Sequence, residues 1–323
     1  MKEEIFSLRP PFGDPLRFYK NRFGSDEFSE TLTIVSGLQG DRLNGLWVAA
    51  RLSRFLQEVE DGGQPGYRIS GNIQIFPVVN LRALEQGKST WVFDHLNMDL
   101  AFPGIEEGDL TEKLCNLLVE HSSESDYGLI LQTAEPHYEE APHVRLYDPN
   151  RNLRNLARCL GLNVAREIPD SPALTLNLVK QWDAMGIPTL VTSAGRPNEL
   201  NLGFCDTLYE GIINFMLMAG VLTHSQEKGK KTQAAFYRAE SEVAVVSENP
   251  GWFVARAGVG QTLQQGQIIG EVFDVYGGRP LETIEAPEEG WLVSLRTHPL
   301  IHEKEPVATL LTEKNRKWFW PFT

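Results

Sequence analysis

The sequence predicts an α/β fold with a mostly parallel mixed sheet flanked by helices, built from βαβ units, over residues 25–222. A C-terminal all-β, barrel-like module is expected over residues 235–315. Three observations carry this reading. Short β-branched apolar runs alternate with stretches of helical period through the first 220 residues. A polar segment at 224–233 then interrupts the pattern. Beyond it the apolar period is strand-only and punctuated by glycine.

The first expected strand is 31–36, a β-branched run that stops at Gly37. Leu43, Leu46, Trp47 and Ala50 then recur at helical spacing, and Leu52, Phe55 and Leu56 widen the stripe. Asp41 is placed to cap that helix. Further strands are expected at 72–79, 127–133 and 187–193. Helices at 111–121, 152–160 and 174–185 fall between them, and one at 207–221 follows the last strand. Strands separated by helices predict a parallel sheet buried on both faces. After the polar linker, Gly251, Gly258, Gly260, Gly266, Gly270, Gly277, Gly278 and Gly290 divide short apolar runs. The stretch 258–270 resembles the half-repeat of biotinyl/lipoyl-like barrels. Those carriers modify a lysine on a hairpin, whereas Ala286-Pro-Glu-Glu-Gly-Trp-Leu-Val293 has none. A carrier role lacks its attachment atom, so the module reads as structural.

Lys+Arg 30 against Asp+Glu 43 gives a formal charge of −13. That field argues against a nucleic-acid duplex or an anionic membrane as the main partner. The densest basic block, Lys228-Gly-Lys-Lys231, is too short to offset it. The longest apolar run, 211–222, is interrupted by Asn214 and too short to span a bilayer. No apolar stretch backs the charges of residues 1–10. Cys115, Cys159 and Cys205 are few and far apart, as in a reducing compartment. Together these features predict a cytoplasmic protein.

Four segments stand in order ahead of the β module: Ser36-Gly-Leu-Gln-Gly-Asp-Arg-Leu-Asn-Gly45, Gly71-Asn-Ile-Gln-Ile-Phe-Pro-Val-Val-Asn80, Asp99-Leu-Ala-Phe-Pro-Gly104 and Glu210-Gly-Ile-Ile-Asn214. Their phrases and spacing resemble the succinylglutamate desuccinylase/aspartoacylase family, a branch of the zinc carboxypeptidase-like fold. The resemblance implies hydrolysis of an N-acyl amino acid, or a related small amide, with one zinc. That chemistry takes two histidines and a glutamate as ligands and leaves a position for water. Zinc acidifies the water, and a separate glutamate takes its proton.

In this sequence the family's ligand positions fall on Gln39, Arg42 and Gln132, and its base on Ser193. The arginine of a substrate-gripping phrase falls on Leu100, in Asn97-Met-Asp-Leu100. A glutamine carbonyl is a weak donor to zinc, and an arginine cannot deprotonate to bind it. Five concerted changes imply a lost zinc site, hence a pseudoenzyme with no cofactor. Its role is then non-catalytic binding or regulation, with a small carboxylate as ligand and a second copy or an active paralogue as partner. Arg42 is placed to supply the charge that a missing metal leaves uncompensated. Asp99 and Glu135 are its candidate partners. With Arg145 or Arg196 it is instead placed to hold a ligand carboxylate.

The alternative reading is a zinc-dependent hydrolase of N-acyl amino acids or small amides with a relocated metal. His137, Glu139 and His143 are its candidate ligands, in a segment just past Gln132 that otherwise reads as an exposed, Pro-bounded loop. Other matches carry less. His121-Ser-Ser-Glu124 ends a helix, and His298-Pro-Leu-Ile-His302 has no third ligand nearby. Cys115 sits among Leu114, Leu117 and Leu118 as core, and Ser193 lacks a nucleophile elbow. The aromatic run Trp318-Phe-Trp-Pro-Phe322 reads as a tail that docks on its own domain or on a neighbour.

Overall fold

The apolar runs expected as strands pair with one another in a computed structural model that describes residues 1–9, 14–25, 27–91, 95–171 and 177–313. The aromatic run 318–322 lies outside the described residues. The first part of the chain comprises β1 (Lys2–Leu8), β2 (Leu16–Phe23), β3 (Thr31–Ser36), α1 (Leu43–Glu60), β4 (Tyr67–Ile69) and β5 (Asn72–Phe76). Next come α2 (Leu81–Gln86), α3 (Leu110–Ser122), β6 (Tyr127–Gln132), β7 (Tyr138–Tyr147), α4 (Arg151–Ala157) and β8 (Val164–Ile168). Then follow α5 (Leu178–Ala184), β9 (Thr189–Gly195), α6 (Leu202–Ala219) and β10 (Leu222–His224). Apart from a 3-10 turn at Ala239–Ser241, the regular elements that remain are strands: β11 (Ala235–Arg238), β12 (Glu242–Val246), β13 (Gly251–Ala255), β14 (Thr262–Leu263), β15 (Ile268–Phe273), β16 (Pro280–Glu285), β17 (Gly290–Arg296), β18 (Leu300–Ile301) and β19 (Pro306–Leu311).

Strands β5, β3, β6 and β9 lie side by side and parallel. Their side chains alternate between two cores, as the two-residue period of a strand requires. Ile34, Ile75, Leu129 and Leu190 pack with Leu52 and Leu56 of α1 and with Ile212 and Phe215 of α6. Val35, Phe76, Ile130 and Val191 face the other way, onto Leu114 and Leu118 of α3 and Trp182 of α5. Each such side chain contributes about 1.5–3 kcal/mol by leaving water, and together they hold the strand ends rigidly in register. Among the described residues no helix is long and apolar enough to cross a membrane.

Among the described residues, parallel pairing is confined to this centre and to β7–β8–β11. The hairpin β1–β2 adds antiparallel strands beyond β5, so the sheet as a whole is mixed. The segment expected as an exposed loop at 135–143 is in large part strand. Residues from Tyr138 onward form β7, antiparallel to β9. Pro142 and the two glutamates hide this strand from a propensity reading. Glu140 pairs with Gly195 and His143 with Ser193, so three steps along β7 match two along β9. The extra residue is a bulge, where a proline disrupts no ladder that was intact. Asp41 is also not the cap of α1: Arg42 takes that position, with no side-chain capping bond. Asp41 turns its carboxylate to the Arg42 guanidinium instead, with Nε and Oδ1 3.4 Å apart.

The expected division near residue 235 is no break in the sheet. Strand β11 pairs with β8, and β17, β19 and β12 continue the central sheet beyond β7. A second sheet, β16–β15–β13–β18, shares with them a core of Phe253, Ile269, Val272, Ile284, Leu292, Val307 and Leu310.

Candidate functional site

Ligand sites of open α/β sheets form beyond the carboxyl ends of the parallel strands. At those ends of β3 and β6 the structure gathers Gln39, Arg42, Gln132 and Glu135. The loop from β3 into α1 is held tightly: the Gly40 amide donates to the Lys88 carbonyl at 2.9 Å. A Cβ at residue 40 would lie 2.0 Å from the Ala83 carbonyl carbon, so only glycine fits there. This fixes Gln39 and Arg42 on either side of it.

Asp99 enters from a short turn, with its amide bound by the Asn97 side chain at 3.1 Å. Gln39 Nε2 donates to Asp99 Oδ2 and, at 3.3 Å, to Asn97 Oδ1. Gln132 Nε2 donates to the same Asp99 oxygen at 3.3 Å. Asp99 as a residue is partly exposed, but its carboxyl is withdrawn from water beneath these amides. That burial raises its pKa, against the lowering pull of Gln39, Arg42 and Gln132.

Arg42 is buried and donates from Nη1 to the Thr133 carbonyl at 3.3 Å and from Nη2 to Glu135 Oε2 at 3.0 Å. Of its two candidate partners, the ion pair is thus with Glu135, while Asp99 is taken by the glutamines. Burial raises the Asp41 pKa, opposed first by Arg42. Asp41 Oδ1, Arg42 Nε and Thr133 Oγ1 are all buried without a hydrogen-bond partner.

A second cluster surrounds Ser193. The β7 bulge brings Glu140 onto the same side as His143 and Arg145, facing β9. Glu140 Oε2 accepts from Ser193 Oγ and from Arg145 Nη2, each at 2.5 Å. Arg166 of β8 reaches Glu140 Oε1 at 3.5 Å and binds both oxygens of Glu242 at 2.7 Å. Burial alone would raise the Glu140 carboxyl, but Arg145, His143, Arg166 and the Ser193 hydroxyl outweigh it, lowering its pKa to about 2. Burial, together with Arg166 and Arg145, lowers His143 to about 3 despite Glu140. His143 is therefore neutral at pH 7. Its Nε2 faces the Arg145 Nε donor at 3.5 Å, which assigns the proton to Nδ1, donating to the Ala141 carbonyl at 2.8 Å.

Serine, histidine and glutamate thus meet, but not in the order of a hydrolytic triad. The hydroxyl donates to the carboxylate, and the imidazole is spent on Ala141 and Arg145. A carboxylate with a pKa near 2 is a weak base, and Ser193 is fully buried. The His143 shift has a measurable consequence. The unfolded chain takes up a proton near pH 6.5 that buried His143 refuses until about 3. Stability from this residue is present above pH 6.5 and is lost as pH falls toward 3. The expected result is a shallower loss of urea stability between pH 6.5 and 4 in His143→Gln than in the unaltered protein.

The other sequence candidates lie apart. Arg196 pairs with Glu199 at 2.5 Å on the surface and does not join Arg42. The His137 ring packs on His298, with centroids 4.5 Å apart. Glu139 accepts from Asn201 Nδ2 at 3.5 Å, and His143 faces Glu140. Among the described residues no group of three or more His, Cys, Asp or Glu is placed to hold a metal, so His137, Glu139 and His143 do not converge. His121 Nδ1 lies 3.4 Å from Lys20 Nζ rather than serving a site with Glu124. Cys115 is core. Glu140 and Arg166 escaped the sequence reading. The available signal was His143 and Arg145 at strand spacing, but the bulge at Pro142 conceals that Glu140 shares their face.

An α/β sheet with a polar basin at its strand ends and a β module continuing its edge defines a known scaffold. It is that of solved structures of the succinylglutamate desuccinylase/aspartoacylase family. A succinylglutamate desuccinylase/aspartoacylase from Rhodobacter sphaeroides superposes with a TM-score of 0.77, at 17% identity, over 97% of this chain and 96% of that one. The product-bound ectoine utilization protein of Ruegeria pomeroyi gives 0.79 at 17% identity, over 96% and 95% of the two chains. In sequence, the chain is similar to N-alpha-acetyl-L-2,4-diaminobutyric acid deacetylase of Halomonas elongata, 25% identical over 291 residues, 87% of this chain and 81% of that protein. No family model matches the chain.

Proposed function

We propose that this chain is a desuccinylase/aspartoacylase-family protein that has lost zinc-dependent amide hydrolysis and acts as a non-catalytic binding or regulatory protein. The observation that carries the reading is where the side chains at the family's ligand positions go. Gln39 and Gln132 spend their amide N–H groups on Asp99, and Arg42 spends its guanidinium on Thr133 and Glu135. A guanidinium offers no lone pair, and neutral amide oxygens bind zinc weakly, so this trio does not fit the metal. At the base position, Ser193 has no carboxylate of its own, and the nearby Glu140 is neutralised by two arginines.

The test is elemental analysis of protein purified without chelator, with an assay on N-acetyl and N-succinyl amino acids. Substoichiometric zinc and no turnover above the uncatalysed rate are expected. Stoichiometric zinc, or turnover above the uncatalysed rate, overturns the reading.

A further inference from the structure

Buried polar atoms without partners are rare in folded proteins, and each calls for a reason. Here three of them, Asp41 Oδ1, Arg42 Nε and Thr133 Oγ1, belong to residues in mutual contact at the carboxyl ends of two parallel strands. A fourth, Thr192 Oγ1, lies on β9 next to Ser193. The contact that closes this place is asymmetric. The Arg42 side chain is 4% exposed and the Glu135 side chain 67%. Among the described residues, the Glu135 carboxylate makes only that one ion pair. It lies over the guanidinium from the solvent side, in the segment between β6 and β7.

We propose that the Arg42–Glu135 pair is the resting form of a carboxylate-binding site, in which Glu135 occupies the place of a small ligand's carboxylate. The proposal rests on the reading that this basin works without a metal. An incoming carboxylate that displaces Glu135 leaves the charge beside Arg42 unchanged. Arg42 is already desolvated and presents donors in a fixed planar fork, the geometry that carboxylates match. Glu135 is half-free in water, so its release costs little ordering or desolvation. Arg42 Nη2, the donor that Glu135 vacates, then finds its acceptor in the ligand's oxygens. The ligand class is a small organic carboxylate with little bulk around the acid group, and Glu135 acts as its internal competitor.

The experiment is calorimetric titration of succinate, with succinamide as the uncharged control, into metal-free protein. Glu135→Gln removes the competitor without removing the binding group, and it is expected to tighten succinate at least fivefold. Glu199→Gln removes one negative charge elsewhere on the surface, and its expected effect is below twofold. Adding Arg42→Lys to Glu135→Gln keeps the charge and loses the fork, so the gain in affinity should vanish. Equal succinate affinity in the unaltered protein and in folded Glu135→Gln overturns the proposal, as does an equal gain in Glu199→Gln. Stoichiometric zinc in the unaltered protein is a separate result, and it overturns the metal-free reading itself.

Discussion

Arg42→Ala is expected to lower the unfolding free energy by about 3–5 kcal/mol, the usual cost of removing one partner from a buried charge pair. The loss does not come from Glu135, which is mostly in water and returns to it cheaply. It comes from Asp41, a buried carboxyl whose nearest compensating charge is Arg42. The void left by the side chain and the unpaired Thr133 carbonyl add to it. Urea titration reads the difference directly. Asp41 has its folded pKa raised, so the folded state binds more protons than the unfolded chain just above the ordinary carboxylate value. Its contribution therefore falls as pH rises through that window. Without Arg42 the rise is larger, and Arg42→Ala should lose more stability than the unaltered protein between pH 4 and neutrality. Asp41→Asn in the Arg42→Ala background should recover part of the loss, because the two residues are coupled. An Arg42→Ala variant as stable as the unaltered protein would show that the buried guanidinium compensates nothing.

The centre of the fold was legible because the β3, β5, β6 and β9 sequences are apolar on both faces, a pattern that parallel strands between helices share. Strand β7 was not. Its Glu139-Glu140-Ala-Pro142 start reads as loop chemistry, and only the bulge explains how a proline and a buried glutamate coexist in a strand. The same blind spot hid half of the site. Gln39, Arg42, Gln132 and Ser193 were found through phrases contiguous in sequence. Glu140 meets Ser193 only through a strand pairing that no local pattern announces. The partner of Arg42 was likewise open, because Asp99 and Glu135 carry the same charge. Two amide donors converging on Asp99 decide between them. The composition change at 224–233 does not announce that β7 pairs with β17 of the module, a long-range contact that no local pattern carries.

Replacing Gln39→His, Arg42→Glu and Gln132→His together is expected to create a site that takes up one zinc per chain, measured by elemental analysis after dialysis. Gln39 and Gln132 reach the same oxygen of Asp99, so side chains at these two positions already converge on one point. Zinc ligands at about 2.0–2.2 Å from a common ion need that convergence. The charge balance favours occupancy. Arg42→Glu turns +1 into −1, and a bound Zn²⁺ returns the basin to the charge it had with arginine. Asp41, Asp99 and Glu135 therefore see an unpaired carboxylate in the metal-free variant and a compensated one when zinc binds. The variant should be markedly less stable than the unaltered protein without metal and gain about 2.7 kcal/mol at zinc a hundredfold above its dissociation constant. The unaltered protein should show no such gain. Hydrolysis of an N-acetyl amino acid should still be absent, because Glu140 remains tied to Arg145 and Ser193 offers no carboxylate. Adding Ser193→Glu supplies a carboxylate at that point of β9, and Glu140→Ser in the same chain removes the like charge beside it. Turnover is expected only in that five-residue variant. A folded triple variant that takes up no zinc would show that Gln39, Arg42 and Gln132 do not stand where the family's ligands stand, and the metal-free reading would lose its foundation.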